Sequence, residues 1–277
     1  SEWFAAVAGF LTTGIVAPFL GVLTVVLFGT SFTDLGRKVN PLIVTVLAFL
    51  IMLCIGPLVA IPRTAAATYE IGIKPLLPGF NNILFSVIFF SIVIFLSISQ
   101  SKIVDIIGNF LTPLLILSLG ILVVMGIMNP PDISEITGIS TQESFVFAFH
   151  EGYQTLDVLA SVIFAGIIIS AAIDKGYTNS TDRFKITIAA GLISMIALLF
   201  IYGGLIYLGA HSGYPLSENV SRTDLLLHIS NNVLGKNGTL VISIAVALAC
   251  LTTAIALTSA MGSFLKKLTY GKITYNV

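Results

Sequence analysis

The amino-acid sequence predicts an all-α membrane protein that crosses the bilayer several times. Its 277 residues are 56% apolar and 9% charged, whereas soluble domains carry about 25% charged residues. Apolar runs close to the roughly 20 residues that a helix needs to span a bilayer recur along the whole chain. One of these runs contains a dense polar stretch, which a simple membrane anchor would not carry.

Seven segments meet this description. They comprise residues 4–28, 42–61, 83–98, 106–128, 145–173, 186–208 and 240–265. Gly14, Pro18 and Gly21 predict a kink near the middle of the first segment, because proline removes a helical hydrogen bond. Pro57 and Pro62 predict a bent or broken outer half of the second segment.

The remaining elements carry weaker signals. Arg63 and Glu70 would share a face of a continued second span, either as interfacial charges or as part of an outer gate. The third and fourth spans are largely apolar and predict a lipid-facing scaffold. Ser221, ahead of an apolar run, predicts a short capped helix that is either a lid or a simple surface helix.

The charge distribution predicts orientation and excludes some partners. The formal net charge is zero, which gives no basis for binding nucleic acid. Nine of the 13 Lys and Arg residues fall in loops on one side of the predicted bundle, which is therefore cytoplasmic. We expect a multi-pass protein of the cell membrane, with Ser1 outside and the C-terminal tail in the cytoplasm.

Two cysteines, Cys54 and Cys250, fall inside predicted spans. Their positions fit neither a disulfide framework nor a metal-ligand spacing. We interpret both as small packing residues.

The fifth segment carries the strongest functional signal. Polar residues crowd its first half, including Gly152, Tyr153, Gln154, Thr155 and Asp157. An ionised side chain at the bilayer centre costs roughly 3 kcal/mol, and irregular backbone at membrane depth is tolerated only where it lines an enclosed cavity. We therefore expect a discontinuous helix that binds a solute. Asp157 either neutralises a bound cation or caps the second half of the helix.

A second polar cluster lies in the seventh segment. Thr252, Thr253, Thr258 and Ser259 are interleaved with small residues after Ala249. Such hydroxyls either bond back to a carbonyl one turn earlier or act as neutral oxygen ligands for an alkali cation. A broken helix beside a cation site is typical of an amino-acid symporter, because binding both ligands together supplies the coupling free energy.

Four segments closely resemble the bacterial branched-chain amino acid:cation symporter family. They are GPLVAIPRTAAATYEIGIKP at 56–75, DIIGNFLTPL at 105–114, HEGYQTLDVLASVIFAGIIISAA at 150–172 and ACLTTAIALTSA at 249–260. The resemblance implies a LeuT-like inverted-repeat fold that takes up leucine, isoleucine or valine with sodium or protons. It also implies that the seven spans correspond to helices two to eight of twelve.

The resemblance assigns roles residue by residue. It implies that 152–157 is unwound and holds the substrate, with Thr155 near the amino and carboxyl groups and Tyr153 bordering the aliphatic pocket. It implies a sodium site formed by the carbonyl of Ala249 and the hydroxyls of Thr252 and Thr253. No other cofactor is expected.

The resemblance also implies missing parts. The family's first helix supplies half of both sites and is absent here, as are the helices after the eighth. We therefore expect residues 1–277 to form one truncated transporter domain with partial sites. A start at Ser1 without an initiator Met agrees with this expectation.

Two other functional classes fit parts of the pattern. A heptahelical receptor also has seven spans and an external amino terminus, and a membrane scaffold without transport activity would share the composition. Against a receptor stand the polar interruption of the fifth span and the abrupt start of the chain. No nucleophile–base pattern indicates an enzyme.

Overall fold

The computed structural model describes residues 2–29, 40–98, 107–128, 140–212, 221–269 and 272. This part of the chain folds into α-helices with short π-helical and 3₁₀ turns between some of them. In chain order the helices are α1 (Glu2–Leu11), α2 (Ala17–Phe28), α3 (Pro41–Leu53), α4 (Ala60–Ala67), α5 (Asn82–Ser97), α6 (Thr112–Met128), α7 (Thr141–Gln154), α8 (Asp157–Asp174), α9 (Ser180–Ala210), α10 (Arg222–Leu234) and α11 (Gly238–Leu268).

The apolar helices confirm a polytopic membrane protein. Six helical segments of the described chain are long and apolar enough to cross a bilayer: Glu2–Phe28, Leu42–Ile73, Ile107–Met128, Asp157–Asp174, Ser180–Ala210 and Arg222–Lys266. The apolar helix Asn82–Ser97 is shorter. Together they occupy the positions of the seven predicted spans. The second extends twelve residues beyond the predicted end at 61, to Ile73.

The chain divides into two compact units. The first comprises Ser1–Ile51 and Glu135–Tyr207, and the second comprises Met52–Ser134 and Leu208–Val277. The basic residues Arg37, Lys38 and Lys102 and the acidic connector at 129–139 lie outside the described residues.

In the first unit, α1 and α2 run parallel to α7 and α8. α1 packs along α7, and α2 packs along α8. Val25 of α2 forms a buried cluster with Ala165 and Ile169 of α8. The long helix α9 joins this pair through ring contacts, including Trp3 with Tyr207 at a centroid distance of 5.3 Å.

The first span is irregular where the sequence predicts a kink. A π-helical turn, Thr12–Val16, separates α1 from α2, and the amide of Ala17 donates to the carbonyl of Thr12. Pro18 lies in the first turn of α2. Because proline has no N–H to donate, the preceding turn widens instead of continuing the α-helical pattern.

A capping box fixes the start of α7. The Ser140 hydroxyl accepts from the amide of Glu143 at 3.2 Å, and the Glu143 carboxylate accepts from the amide of Ser140 at 2.9 Å. Hydrogen bonds from the backbone and the hydroxyl of Ser140 lower the pKa of Glu143 from its usual value. The helix that leads into the polar stretch therefore has a defined beginning.

In the second unit, α4, α5, α6 and α10 pack around α11. The Ser243 hydroxyl of α11 donates to the carbonyl of Ile71 at 3.1 Å. The side chain of Thr68, one turn before Ile71, lies beside the thiol of Cys250, which is two turns after Ser243. The extended second span therefore runs antiparallel to α11. Leu111 and Ile255 form a buried cluster between α11 and the start of the fourth span.

The second span is broken as its prolines predict. A π-helical turn, Cys54–Leu58, contains the non-helical residue Gly56, with φ −84° and ψ −111°, and α4 restarts at Ala60. Arg63 and Glu70, the candidate gate residues, are both exposed. A role for them in gating stays a prediction.

The two cysteines and the short helix match their predictions in part. Cys54 and Cys250 are both free. Cys54 is exposed and Cys250 is partly buried, so the interpretation as packing residues fits Cys250 better than Cys54. The predicted short helix is α10, which buries Ile229, Ser230 and Val233. It forms without the predicted cap bond, since Ser221 lies at the N-cap but its side chain makes no capping hydrogen bond. The Ser230 hydroxyl donates to the carbonyl of Gly238 at 2.7 Å, which fastens α10 to the start of α11.

Candidate functional site

The fifth span is interrupted, as its polar residues predict. α7 ends at Gln154 and α8 begins at Asp157, with Thr155 and Leu156 between them. Leu156 adopts φ 59° and ψ 18°, the left-handed region, and is the only non-glycine residue with positive φ in the described part of the chain. This conformation costs an L-residue roughly 1–2 kcal/mol. Strained backbone of this kind clusters at functional sites.

The interruption is narrower than the sequence predicts. Residues 152–154 and Asp157 are helical, so the expectation that 152–157 is unwound is wrong for Gly152, Tyr153, Gln154 and Asp157 and holds for Thr155 and Leu156. The Thr155 hydroxyl donates to the carbonyl of Gly152 at 2.7 Å, and the amide of Leu156 donates to the carbonyl of Tyr153 at 3.2 Å. These two bonds close the last turn of α7 and confine the break to two residues.

The start of α8 offers unpaired amides. The amides of Leu159 and Ala160 both donate to the carbonyl of Leu156, at 3.1 and 3.2 Å. The amides of Asp157 and Val158 precede them and have no acceptor within the helix, because the first N–H groups of a helix never do. The positive end of the helix dipole lies at the same place. This terminus therefore suits a carboxylate.

Asp157 does not cap α8, contrary to one of the two hypotheses drawn from the sequence. Leu156 occupies the N-cap position without a side-chain cap bond, and Asp157 is the first helical residue. Its half-buried carboxyl group lies beside the side chain of Thr155. An acidic side chain therefore lies in the first turn of α8, next to the positive end of the helix dipole.

The other predicted substrate residues differ in exposure. Tyr153 is 64% exposed, and Gln154 and Thr155 are also exposed. Gly152 is buried against the first span, where a Cβ would meet the carbonyl oxygen of Phe10 at 2.8 Å. Its missing side chain thus permits close helix contact. A direct contact of Gly152 with substrate stays a prediction.

The structure adds residues that the sequence reasoning missed. The hydroxyl of Thr13, in the first span, donates to the carbonyl of Phe149 at 2.8 Å. The ring of Tyr202 in α9 lies 4.9 Å from the ring of Phe10. A hydroxyl within an apolar run needs a partner. Thr13 was therefore detectable as a polar residue, although its partner 136 residues away was not.

The predicted cation ligands converge on one turn of α11. The Thr252 and Thr253 hydroxyls donate to the carbonyl of Ala249, at 2.8 and 2.9 Å. The Thr258 hydroxyl makes the same bond to the carbonyl of Ala254 at 2.8 Å. The hydroxyl protons therefore bond back to carbonyls about one turn earlier, which is the first of the two alternatives that the sequence leaves open. Each hydroxyl oxygen keeps a lone pair, so the arrangement is also compatible with a cation.

The two clusters lie in different units of the chain. The interrupted helix belongs to the first unit, and Ala249, Thr252 and Thr253 belong to the second. Within the described residues, no group of three or more His, Cys, Asp and Glu side chains could hold a metal ion. The predicted ligands at the Thr252–Thr253 turn, a carbonyl and two hydroxyls, are neutral oxygens.

Comparisons with known proteins match the whole chain to one family. The model of a family described as "Branched-chain amino acid transport protein" matches residues 1–277. The chain is 35% identical over 268 residues to the branched-chain amino acid permease BraB of Bacillus subtilis, covering 95% of this chain and 60% of that protein. It is 33% identical over 280 residues to the permease BrnQ of the same species, covering 98% of this chain and 63% of that protein.

A putative branched-chain amino acid carrier protein of Staphylococcus aureus is 34% identical over 289 residues, covering 99% of this chain and 64% of that protein. The chain thus spans about three fifths of the length of the relatives that it matches. No solved structure matches it significantly. The relatives are permeases or carriers by name, in agreement with the expectation that the chain is not an enzyme. The chain belongs to the family of branched-chain amino acid transport proteins.

Proposed function

We propose that this chain is the greater part of a secondary transporter that takes up leucine, isoleucine or valine together with sodium or protons. The family and the names of the relatives support the substrate class. The observation that carries the proposal is the interruption at Thr155 and Leu156, because a broken membrane helix presents backbone groups that a continuous helix keeps occupied.

The interruption suits a zwitterion. The amides of Asp157 and Val158 and the positive end of α8 attract the substrate carboxylate. The carbonyls at the end of α7 and the carboxylate of Asp157 attract the ammonium group. Because both polarities lie within one turn, an amino acid fits this terminus better than a simple anion or cation. Tyr153, Gln154 and Thr155 flank the site and complete the substrate-binding set with Gly152.

The coupling ion binds at α11. The carbonyl of Ala249 and the hydroxyls of Thr252 and Thr253 supply hard oxygen ligands for sodium. The convergence of both hydroxyls on the Ala249 carbonyl, within 2.9 Å, supports this assignment because the three oxygens already lie together. When one ligand favours the conformation that binds the other, their shared free energy couples uptake to the ion gradient.

The architecture that we propose is a LeuT-like inverted repeat working by alternating access. The spans correspond to helices two to eight of that fold. The protein lies in the cell membrane, with Ser1 outside and the C-terminal tail inside. The parallel course of the first and fifth spans supports this order, because odd-numbered spans of an alternating chain cross the bilayer in the same direction.

Uptake of labelled leucine into vesicles tests the proposal directly. The full-length protein is reconstituted, and uptake is measured with an inward sodium gradient, an inward proton gradient or neither. We expect accumulation that requires one of the two gradients and is inhibited by isoleucine and valine. Leucine uptake that is indifferent to both gradients would remove the symport mechanism, and absence of uptake would remove the transport proposal.

Valine substitutions test the sodium site. Thr252→Val and Thr253→Val each remove one hydroxyl at nearly constant volume, and we expect the sodium concentration for half-maximal uptake to rise about tenfold, the equivalent of roughly 1.4 kcal/mol. Thr258→Val is the matched control, since the Thr258 hydroxyl makes the same kind of bond further along α11, to the carbonyl of Ala254. Equal behaviour of all three variants would count against a cation at the Thr252–Thr253 turn.

A further inference from the structure

Thr13 lies at the point where the first span meets the broken helix. It is 8% exposed, in the π-helical turn Thr12–Val16. Its hydroxyl donates to the carbonyl of Phe149 at 2.8 Å. Phe149 lies in α7, between one and two turns before Thr155 and Leu156. The bond therefore links the first span to the end of α7 just before the interruption.

The two helices approach each other closely on both sides of this bond. At Gly9 a Cβ would meet the backbone carbonyl of Phe145. At Gly152 a Cβ would meet the Thr13 hydroxyl, the carbonyl of Phe10 and, at 3.1 Å, the amide of Gly14. Small residues allow this contact. They also leave few side-chain ridges to fix the depth of one helix against the other, so a directional bond between them matters.

The bond also lies beside two departures from α-helical geometry. The first span widens at Thr12–Val16, and the fifth span stops at Gln154. In both places the backbone has fewer α-helical hydrogen bonds than in a regular helix, and its rotation is therefore less constrained. The hydrogen bond from the Thr13 hydroxyl joins the widened turn of the first span to α7 shortly before the interruption.

We infer that Thr13 is a positioning residue of the proposed substrate site: its buried hydroxyl holds the end of α7 at a fixed depth and rotation against the first span. The inference rests on the proposed function for its effect on substrate, but the anchoring of α7 is independent of it. Thr13 lies against Gly152 but does not itself belong to the proposed substrate-binding set. It acts by placing Tyr153, Gln154 and Thr155 relative to the start of α8.

The chain supplies a matched control in the neighbouring residue. Thr12 belongs to the same π-helical turn, is exposed, and donates to the carbonyl of Ala8 within its own span at 2.8 Å. Thr12→Val therefore removes a hydroxyl from the same turn without touching α7. Thr13→Ser keeps the hydroxyl of the linking bond, whereas Thr13→Val removes it at nearly constant volume. The Phe149 carbonyl can keep its place in the helical pattern of α7, so we expect Thr13→Val to fold.

Hydrogen–deuterium exchange of the full-length protein tests the anchoring without any substrate. We expect Thr13→Val to speed exchange of the backbone amides of 149–156 by roughly fivefold, the effect of losing one hydrogen bond of ordinary strength. Thr13→Ser and Thr12→Val are expected to exchange like the natural protein. Exchange of 149–156 that is the same in Thr13→Val and Thr12→Val would overturn the inference.

Leucine uptake by the same variants tests the consequence for the site. At equal amounts in the membrane, we expect Thr13→Val to raise the apparent KM for leucine about fivefold with little change in the maximal rate. Thr13→Ser is expected to restore the natural KM. If the natural protein takes up no leucine, the proposed function fails while the exchange comparison still decides the role of Thr13. Natural uptake with an unchanged KM in Thr13→Val would overturn the positioning role alone.

Discussion

Leu156 is the residue with left-handed backbone at the interruption of the fifth span. Glycine adopts this left-handed conformation without cost, whereas residues branched at Cβ adopt it least readily. The side chain is 45% exposed, so burial repays only part of this strain. The strain is consistent with a position where the backbone is held for a purpose other than stability.

Substitution of Leu156 separates backbone strain from side-chain packing. We expect Leu156→Gly to stay within about 1 kcal/mol of the natural stability, because relief of strain offsets loss of a half-exposed side chain. Leu156→Val, β-branched in a left-handed conformation, should destabilise by a further 1–2 kcal/mol or so. Thermal unfolding in detergent measures both changes. Equal destabilisation by glycine and valine would mean that φ at this position carries no cost.

At this scale the sequence predicts the region of the site but not its atoms. The polar composition around Gly152 and Asp157 correctly indicates an interrupted helix. The residue that takes the left-handed conformation is the apolar Leu156. Composition indicates only the region in which irregular backbone is tolerated. Local hydrogen bonds determine which residue in that region adopts the unusual φ and ψ. The Thr155 hydroxyl, which donates to the carbonyl of Gly152, closes the last turn of α7 and keeps the break short.

The contact of the first span with α7 depends on small residues in both. Gly9 has no room for a side chain, since a Cβ would collide with the backbone of Phe145, which cannot rotate away. Gly203 in the interior of α9 has open space where its Cβ would lie. The two positions are both helical glycines and differ chiefly in this contact.

Alanine at these glycines should act in opposite directions. We expect Gly9→Ala to destabilise the protein by roughly 1–3 kcal/mol, because the first span must move away from α7. Gly203→Ala should be neutral or stabilise by up to about 1 kcal/mol, the difference in helix propensity. Thermal unfolding of both variants, at equal protein and detergent concentration, measures the contrast. A neutral Gly9→Ala would indicate that the two spans are not in close contact in the membrane.

At the scale of helices, proline explains the irregularities that the sequence predicts. The widened turns before Pro18 and at Pro57 are both expected from the missing N–H. Another, Thr68–Ile73, was not predicted, although it ends two residues before Pro75 just as Thr12–Val16 ends two residues before Pro18. Pro75 has no N–H to donate to the carbonyl of Ile71, and this carbonyl instead accepts from the Ser243 hydroxyl of α11. The proline was visible in the sequence, whereas the tertiary partner of the freed carbonyl was not.

For the molecule as a whole, the direction of neighbouring spans agrees with a chain that crosses the bilayer at each turn. In the first unit, the first and fifth spans are parallel. In the second unit, α11 is antiparallel to the second and fourth spans. In these pairs, the two odd-numbered spans are parallel, and the odd-numbered seventh span is antiparallel to the even-numbered second and fourth. This alternation is what the predicted order of seven spans requires, although it leaves both orientations in the membrane open.

The distribution of Lys and Arg selects one of the two orientations, and labelling tests the choice. In a protein with Cys54 and Cys250 replaced by serine, single cysteines are introduced at Asn237 and Thr178, both exposed in loops or turns. The nine-to-four excess of basic residues places Thr178 in the cytoplasm and Asn237 outside. We expect a membrane-impermeant maleimide to label Asn237→Cys in intact cells and to label Thr178→Cys only after permeabilisation. The reverse pattern would invert the membrane orientation, and the direction of transport would then have to be assigned anew.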